Sequence, residues 1–495
     1  MIKLVHVILI AAFIRQCSCG CVVEQTHITL GDKYSLEKTD SDHALTIGFV
    51  TSGCESMPKV KLHVSDGSDI DLDQFTSRSA DYQIIDQSLP DKGTVPYLKT
   101  ALFFKVTDGH LAKAASWSVY QGGQLKEGPV AFPTRFRSNI DSFRMFVVAD
   151  MDINPNSAST VKKIHEIQDK DYDFLVHAGD FAYEIEDNGG RVGDEFFQEM
   201  SKTTKKVPYL ITPGNHESYA EGNLFNYRFR MPNTIDGHMT TANHYYDMLI
   251  KGVYAMVVDF DYLAPVYKKP TIHTRVFELI DWMKARIDVI RSRDDVYWKV
   301  LVSHRPFSCS EFTTEDCSFN MYWLRPFEDL LAKSGFHVLI NGHLHVYTRS
   351  KPTNGLQVMP LSKIGSGAMV SIVAGHGGTS HELMPESGEQ AIRSPIMSHV
   401  DASGPTYVIV DVSRYRFDVM LVRSDTGEYR DTFSIDRNML EDSPQFTGRY
   451  AWFKFGMIAI IVVSLTLTVC ITYNILSRLN EVDNQHQEMG SAIEI

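Results

Sequence analysis

The apolar positions of this chain change rhythm near Pro133. Before that point they fall in short runs, His27 to Gly31, Ala44 to Thr51, Val60 to Val64, Leu98 to Val106 and Ser116 to Gln121. Turn residues such as Asp66 to Ser68 and Asp108-Gly109 separate them. Short runs bounded by Gly, Asp and Ser predict strands, and a succession of them without helical spacing predicts an all-β sandwich over residues 22–138. Beyond Pro133 apolar strands are expected at Phe143 to Val148, Asp173 to Val176, Tyr209 to Thr212, Val253 to Asp259, Val300 to Ser303 and Val338 to Asn341. They alternate with Val161 to Gln168, Thr274 to Ile290 and Pro326 to Lys333, where apolar residues recur at helical spacing. That alternation predicts an α/β domain over residues 141–435, completed by strands at Ser371 to Ala374, Tyr407 to Val412 and Arg416 to Val422.

Two further apolar segments lie at the ends. Residues 1–20 carry Lys3, an apolar stretch from Leu4 to Ile14 and small residues around Ser18, Cys19 and Gly20, the layout of a cleaved secretory signal. From Phe455 to Ser477 the chain has 23 residues without a charge, bracketed by Lys454 and Arg478. At ~1.5 Å per helical residue this run reaches ~35 Å, enough to cross a bilayer's hydrocarbon core. A single carboxy-terminal transmembrane helix over 455–477 is therefore expected, after a polar connector (436–454) and before a short acidic tail (478–495). A GPI signal fits less well, because polar residues follow the apolar run. With a cleaved signal, this layout predicts a single-pass membrane protein of the secretory pathway, its folded part lumenal or extracellular and its tail cytosolic.

Composition narrows the partners. With 43% hydrophobic and 22% charged residues the chain is ordinary for a core-forming protein, and its net charge of −13 argues against a nucleic-acid partner. Of seven cysteines, Cys17 and Cys19 leave with the signal and Cys470 lies in the apolar run. Cys21, Cys54, Cys309 and Cys317 remain, and the most local of the three possible connectivities pairs Cys21 with Cys54 and Cys309 with Cys317; a single bridge or none is the alternative. The sequence contains no Asn-x-Ser/Thr sequon.

The informative polar residues lie just past the carboxyl ends of the expected strands. Asp150 follows the first, and Asp180 and Tyr183 follow the second within His177-Ala178-Gly179-Asp180-Phe181-Ala182-Tyr183. Asn215 and His216 follow Tyr209 to Thr212, His304 follows Val300 to Ser303, and His343 and His345 follow Val338 to Asn341. In open α/β sheets ligands collect at that edge, so successive loops of one sheet would supply one site. Singly, each has a plainer role: a carboxylate caps a helix, an Asn fills a turn, a His packs in a core. Together the oxygen and imidazole donors suit two hard or borderline cations, and they lack the thiolates of a structural zinc site. If His343-Leu344-His345 is extended, both imidazoles point to one side.

These blocks resemble the signature of purple acid phosphatases within the metallophosphoesterase superfamily, across residues 141–435. Gly179-Asp180-Phe181-Ala182-Tyr183 matches the Gly-Asp-x-x-Tyr block, and Gly214-Asn215-His216-Glu217 and Gly342-His343-Leu344-His345 match two more. Asp194-Glu195-Phe196-Phe197, Tyr227-Arg228-Phe229-Arg230-Met231-Pro232, Tyr347-Thr348-Arg349-Ser350 and Gly375-His376-Gly377-Gly378 are similar to family segments. The amino-terminal part, with Thr26-His27-Ile28-Thr29-Leu30-Gly31, is similar to the fibronectin-III-like domain of the family's larger enzymes. The resemblance implies an αββα sandwich in which Asp180 bridges two metals. Asp150, Tyr183 and His345 would then hold an iron(III), and Asn215, His304 and His343 a divalent zinc, iron or manganese. Two positions depart from the pattern. Ala149-Asp150-Met151-Asp152 stands where the family has Gly at both ends, leaving Asp152 as an extra carboxylate, and Leu301 replaces a usual Val.

The reaction expected is acid phosphatase chemistry, hydrolysis of a small-molecule or protein phosphate monoester by a metal-bound hydroxide attacking phosphorus. His216 is expected to bind the phosphate or protonate the leaving alkoxide; its plainer role is to brace Asn215. A phosphodiesterase or pyrophosphate hydrolase would use the same site. A membrane-tethered binding protein with a degenerate site is the alternative from a different class.

Overall fold

The computed structural model describes residues 20–440, except 37–40, 79–81, 86–93, 138–140, 219–222, 233–242, 264–271, 310–323 and 380–393. The expected signal segment up to residue 19, the transmembrane run, the tail and Cys317 lie outside the described residues. Among the described residues no helix is long and apolar enough to cross a membrane.

The amino-terminal strands form two four-stranded sheets. One runs Val22–Leu30, His43–Ser52, Thr100–Thr107, Gln74–Arg78, and the other Gln124–Ala131, Ala114–Gln121, Lys59–Val64, Asp69–Leu72. Every pairing is antiparallel. Ile47, Phe49, Leu62, Phe103 and Trp117 are wholly buried there, the inward apolar set that a sandwich needs. Cys21 and Cys54 are disulfide-bonded, tying the start of the first strand to the residues after the second. Cys309 is disulfide-bonded too.

The expected turn at Asp108-Gly109 is instead the first turn of a helix, Asp108–Lys113. Thr107 caps it: its hydroxyl accepts from the His110 N–H and the His110 ring accepts from the Thr107 N–H. This reciprocal cap overrides the turn preference of Asp-Gly.

The α/β part has two sheets. The first, of six strands, runs Tyr209–Thr212, Phe174–Ala178, Ser142–Val148, Thr406–Ser413, Arg416–Arg423, Tyr429–Asp436. The second, of seven, runs Tyr245–Ile250, Val253–Val258, Trp298–Val302, Val338–Asn341, Val370–Ala374, Tyr347–Ser350, Met397–Asp401. Parallel strands sit at one side of the first sheet and in the middle of the second. Strands covered on both faces read as unbroken apolar runs, which is why Phe174–Ala178, Val253–Val258 and Val370–Ala374 stood out in the sequence. The sheets meet through Trp298, fully buried, whose indole N–H donates to the Ser413 carbonyl at 2.7 Å and whose ring packs on Phe417.

The helix Arg191–Thr204 lies against the first sandwich strand and buries Phe196, Phe197 and Met200. That contact is polar at its centre. Strand Val22–Leu30 bulges between Glu24 and His27, and Gln25 there has φ +57°. The bulge aims Gln25 at the helix, so its amide donates to Asp194 at 2.7 Å and its carbonyl oxygen accepts from Arg228 Nε at 2.8 Å. Arg228, 1% exposed, also donates to Asp194 at 2.7 Å and to the Gly190 carbonyl at 3.1 Å.

Candidate metal centre

All the sequence-selected residues fall just past strand ends, but on the edges of two sheets. Asp150, Asp180, Tyr183 and Asn215 follow strands of the first sheet, and His304, His343 and His345 follow Trp298–Val302 and Val338–Asn341 of the second. The expectation of one sheet is thus corrected. Strand alternation in a sequence marks parallel strands without saying which neighbours they pair with. The candidate metal donors meet where the two parallel edges face each other.

His304 is wholly buried and gives its Nδ1–H to the Ala178 carbonyl at 2.8 Å, so Nε2 turns to the cluster. There it lies 3.2 Å from Asp180 Oδ2 and 3.2 Å from Asn215 Oδ1. His343 Nδ1 is 2.8 Å from the same Asn215 oxygen. On the other side of Asp180, His345 Nε2 lies 3.0 Å from the Tyr183 hydroxyl and 3.6 Å from Asp150 Oδ1. The extended reading of His343-Leu344-His345 does not hold: residues 343–346 form a bend and His343 has φ +74°. The two imidazoles accordingly enter different halves of the cluster.

Backbone conformation shows how tightly the loops are drawn in. Asp150 and Asp180 both have φ +54°, in the left-handed region that residues with a Cβ rarely occupy, where the cost is ~1–3 kcal/mol each. Gly214 and Gly342 leave room for them, since a Cβ at Gly214 would stand 2.2 Å from Asp180 Oδ1 and one at Gly342 2.6 Å from Asp150 Oδ2. Asp152, the extra carboxylate, faces away: it accepts from the Ile153 N–H at 2.6 Å and the Asn154 amide at 2.9 Å, closing its own loop.

The fit to cations can be read from the donors. Asp180, His304 and His343 place ligand atoms within 4.8 Å of one another, and so do Asp150, Asp180 and His345. Asp180 belongs to both groups. Asp150 Oδ2 accepts the His343 N–H at 2.8 Å, while Oδ1 is buried with no hydrogen-bond partner among the described residues. A buried carboxylate oxygen without a donor is costly unless a cation meets it. Burial pushes the Asp150 carboxyl well above its ordinary range. At Asp180 burial acts the same way, but His304, His216 and His343 together outweigh it and hold that carboxyl well below range. Burial, then Asp150 and Asp180, push the Tyr183 phenol well up; a cation there would reverse that direction. Burial opposes charge on His304 too, yet Asp180 and Asp150 raise it to about 10.

His216 borders the cluster, half-buried on the short helix Asn215–Ser218, with Nε2 3.9 Å from Asp180 Oδ2. Burial again opposes its charge, but the hydrogen bond to Glu184 and the Asp180 charge raise it to about 9. Sequence reasoning passed over four neighbours. Glu217, fully buried, accepts the N–H groups of Asp180 (3.0 Å), Phe181 (2.9 Å) and Gly214 (2.8 Å), pinning two ligand loops together. Its place in the Gly-Asn-His-Glu block was the available signal. Glu184 lies 2.7 Å from His216 Nδ1. Arg305 reaches His343 Nε2 at 3.1 Å and is paired with Asp261. For Glu184, Arg305 and Asp261 no spacing pattern gave a signal.

With this arrangement in view, comparison with known proteins is direct. Residues 143–347 match the calcineurin-like phosphoesterase family. The chain is 28% identical over 243 residues to acid phosphatase type 7 of Danio rerio, covering 46% of this chain and 53% of that protein. It is 25% identical over 376 residues to purple acid phosphatase 18 of Arabidopsis thaliana, covering 73% and 72%. The chain spans about half the length of the acid phosphatase type 7 proteins it matches. Among solved structures it is similar to a purple acid phosphatase from yellow lupin seeds, with a TM-score of 0.62 at 17% identity over 86% of this chain and 78% of that one, a likeness of fold. The purple acid phosphatase resemblance read from the sequence is borne out by these relatives, as is a metallophosphoesterase fold behind an amino-terminal β-rich domain.

Proposed function

We propose that this chain is a dinuclear-metal acid phosphatase that hydrolyses phosphate monoesters. The observation that carries the reading is the pair of donor groups sharing Asp180. Asp150, Tyr183 and His345 would hold one ion, an iron, and Asn215, His304 and His343 the other, a zinc, iron or manganese, with Asp180 between them. When bound, adjacent cations acidify water and offset the phosphate's negative charge.

The chain's own residues do the rest. Glu217 ties the Asp180 and Gly214 backbones into one unit, so the bridging carboxylate is held in place before substrate arrives. His216 stands beside that carboxylate, where it can hydrogen-bond a phosphoryl oxygen or pass a proton to the departing alkoxide. A binding protein with a degenerate site would show gaps in the donor set, and every expected donor type is present.

The test is turnover by the metal-loaded full chain with an aryl phosphate monoester and the corresponding diester. Release from the monoester, with the diester slow, is expected; turnover of the diester alone, or of neither, would overturn the proposal. The signal-like start and the apolar run 455–477 support a lumenal or extracellular active site. Protease added to sealed vesicles should then trim only the tail, and digestion of the folded part would refute that topology.

A further inference from the structure

Glu184 directly follows Tyr183, and its backbone has φ +70°. It is the third such residue in succession, after Ala182 at +57° and Tyr183 at +53°. A run of left-handed residues that all carry a Cβ is unfavourable and persists only where packing enforces it. Its effect here is to fold the loop back over the neighbouring one, bringing Glu184 Oε1 to 2.7 Å from His216 Nδ1. The same loop touches the imidazole again through the Tyr183 ring, edge-on at 4.6 Å between centroids. The His216 backbone is fixed separately, its N–H donating to Asp180 Oδ1 at 3.1 Å.

A carboxylate only accepts hydrogen bonds, so this contact places the proton on Nδ1 and turns Nε2 toward the ligand cluster. The second Glu184 oxygen is buried without a hydrogen-bond partner among the described residues. Burial of a carboxylate oxygen in that way is hard to account for if Glu184 merely decorates a surface loop.

We propose that Glu184 is the positioning residue of His216: its carboxylate holds Nδ1–H and so orients the imidazole, with Nε2 facing the phosphate ester to carry the second proton that the ring gives up. This rests on the phosphatase reading above and adds to it the residue that makes His216 effective. It requires no contact between Glu184 and substrate.

The experiment compares Glu184→Ala and Glu184→Gln, each alone and combined with His216→Ala, in the metal-loaded full chain. Metal content, kcat and KM are measured with an alkyl and a nitrophenyl phosphate. Glu184→Ala should lower kcat for the alkyl ester ~10–100-fold with little change in KM or metal content, the scale seen when an orienting partner is removed. Glu184→Gln should recover most of that loss, because its carboxamide oxygen still accepts from Nδ1–H. In the His216→Ala background, Glu184→Ala should add nothing. A loss that persists in that background, a Gln variant as poor as Ala, or loss of metal would each overturn the proposal. Should the wild type hydrolyse neither ester, the phosphatase reading fails and the proposal is still read in the zinc-loaded protein by imidazole ¹⁵N resonances. Above the pH at which the ring loses its second proton, wild type and Glu184→Gln should then show neutral His216 protonated at Nδ1 and Glu184→Ala should not; an unchanged Ala spectrum overturns it.

Discussion

His216 and His304 show how two imidazoles in one cluster can carry different duties. His304 is wholly buried, with its ring fixed by the Ala178 carbonyl and its Nε2 against Asp180 and Asn215. His216 stands at the margin, with Nε2 3.9 Å from Asp180 Oδ2. His304→Ala should therefore lose metal and damage all substrates together, because a missing ligand disturbs the site itself. His216→Ala should keep its metal and lose turnover by ~10²-fold or more, the scale for a general acid. The defect should be largest for alkyl esters, since nitrophenolate departs with little help. Equal losses for alkyl and nitrophenyl esters would rule out the acid role, and metal loss from His216→Ala would place that residue among the ligands.

At the level of elements, the sandwich and the α/β part are joined by a buried ion pair rather than by apolar surface alone. Arg228 and Asp194 belong to the α/β part, and Gln25 of the first sandwich strand hydrogen-bonds to both. Arg228→Ala leaves Asp194 its contacts with Gln25, Tyr97 and Lys99 but takes the donor from the Gln25 and Gly190 oxygens, and at ~1–3 kcal/mol for each buried acceptor left unsatisfied it should cost ~2 kcal/mol or more. Lys99, partly exposed beside the same Asp194, should cost no more than ~1 kcal/mol when changed to Ala. Denaturant unfolding of the two variants checks this, and similar small losses for both would contradict it. The helix that carries Asp194, Arg191–Thr204, was passed over although Val192, Phe196, Phe197 and Met200 stand at helical spacing along it. The central parallel strands were legible because both faces are covered. The edge strands Asp69–Leu72, Tyr245–Ile250 and Tyr429–Asp436 were not, because their pattern depends on which face each neighbour covers. The candidate donors were legible as residue types at strand ends, whereas Glu184, Glu217 and Arg305 join the cluster through distances that only folding creates.

For the molecule as a whole, several histidines are folded in their neutral form. Burial holds His27 down to about 4 and His337 down to about 3, with Lys299 adding to the effect at His337. His27 donates from Nδ1 to the Gln25 carbonyl, and its Nε2 is buried without a partner among the described residues, so a second proton would be an unsatisfied charge. A histidine whose folded pKa lies below its unfolded value of ~6.5 adds stability that is complete above that value and is lost as pH falls toward the folded pKa. Substituting His27 and His337 by Gln should thus make the fall of the denaturation midpoint below about pH 6.5 shallower than in the wild type, with the two profiles parallel above about pH 7; profiles that stay parallel down to pH 4.5 would contradict this. If one carboxylate, Asp180, serves two cations, metal content should show it. The wild-type chain should hold two ions, His304→Ala and His345→Ala should each lose a different one, and Asp180→Ala should lose both. A wild type that binds a single ion, or an Asp180→Ala variant that keeps both, would contradict it.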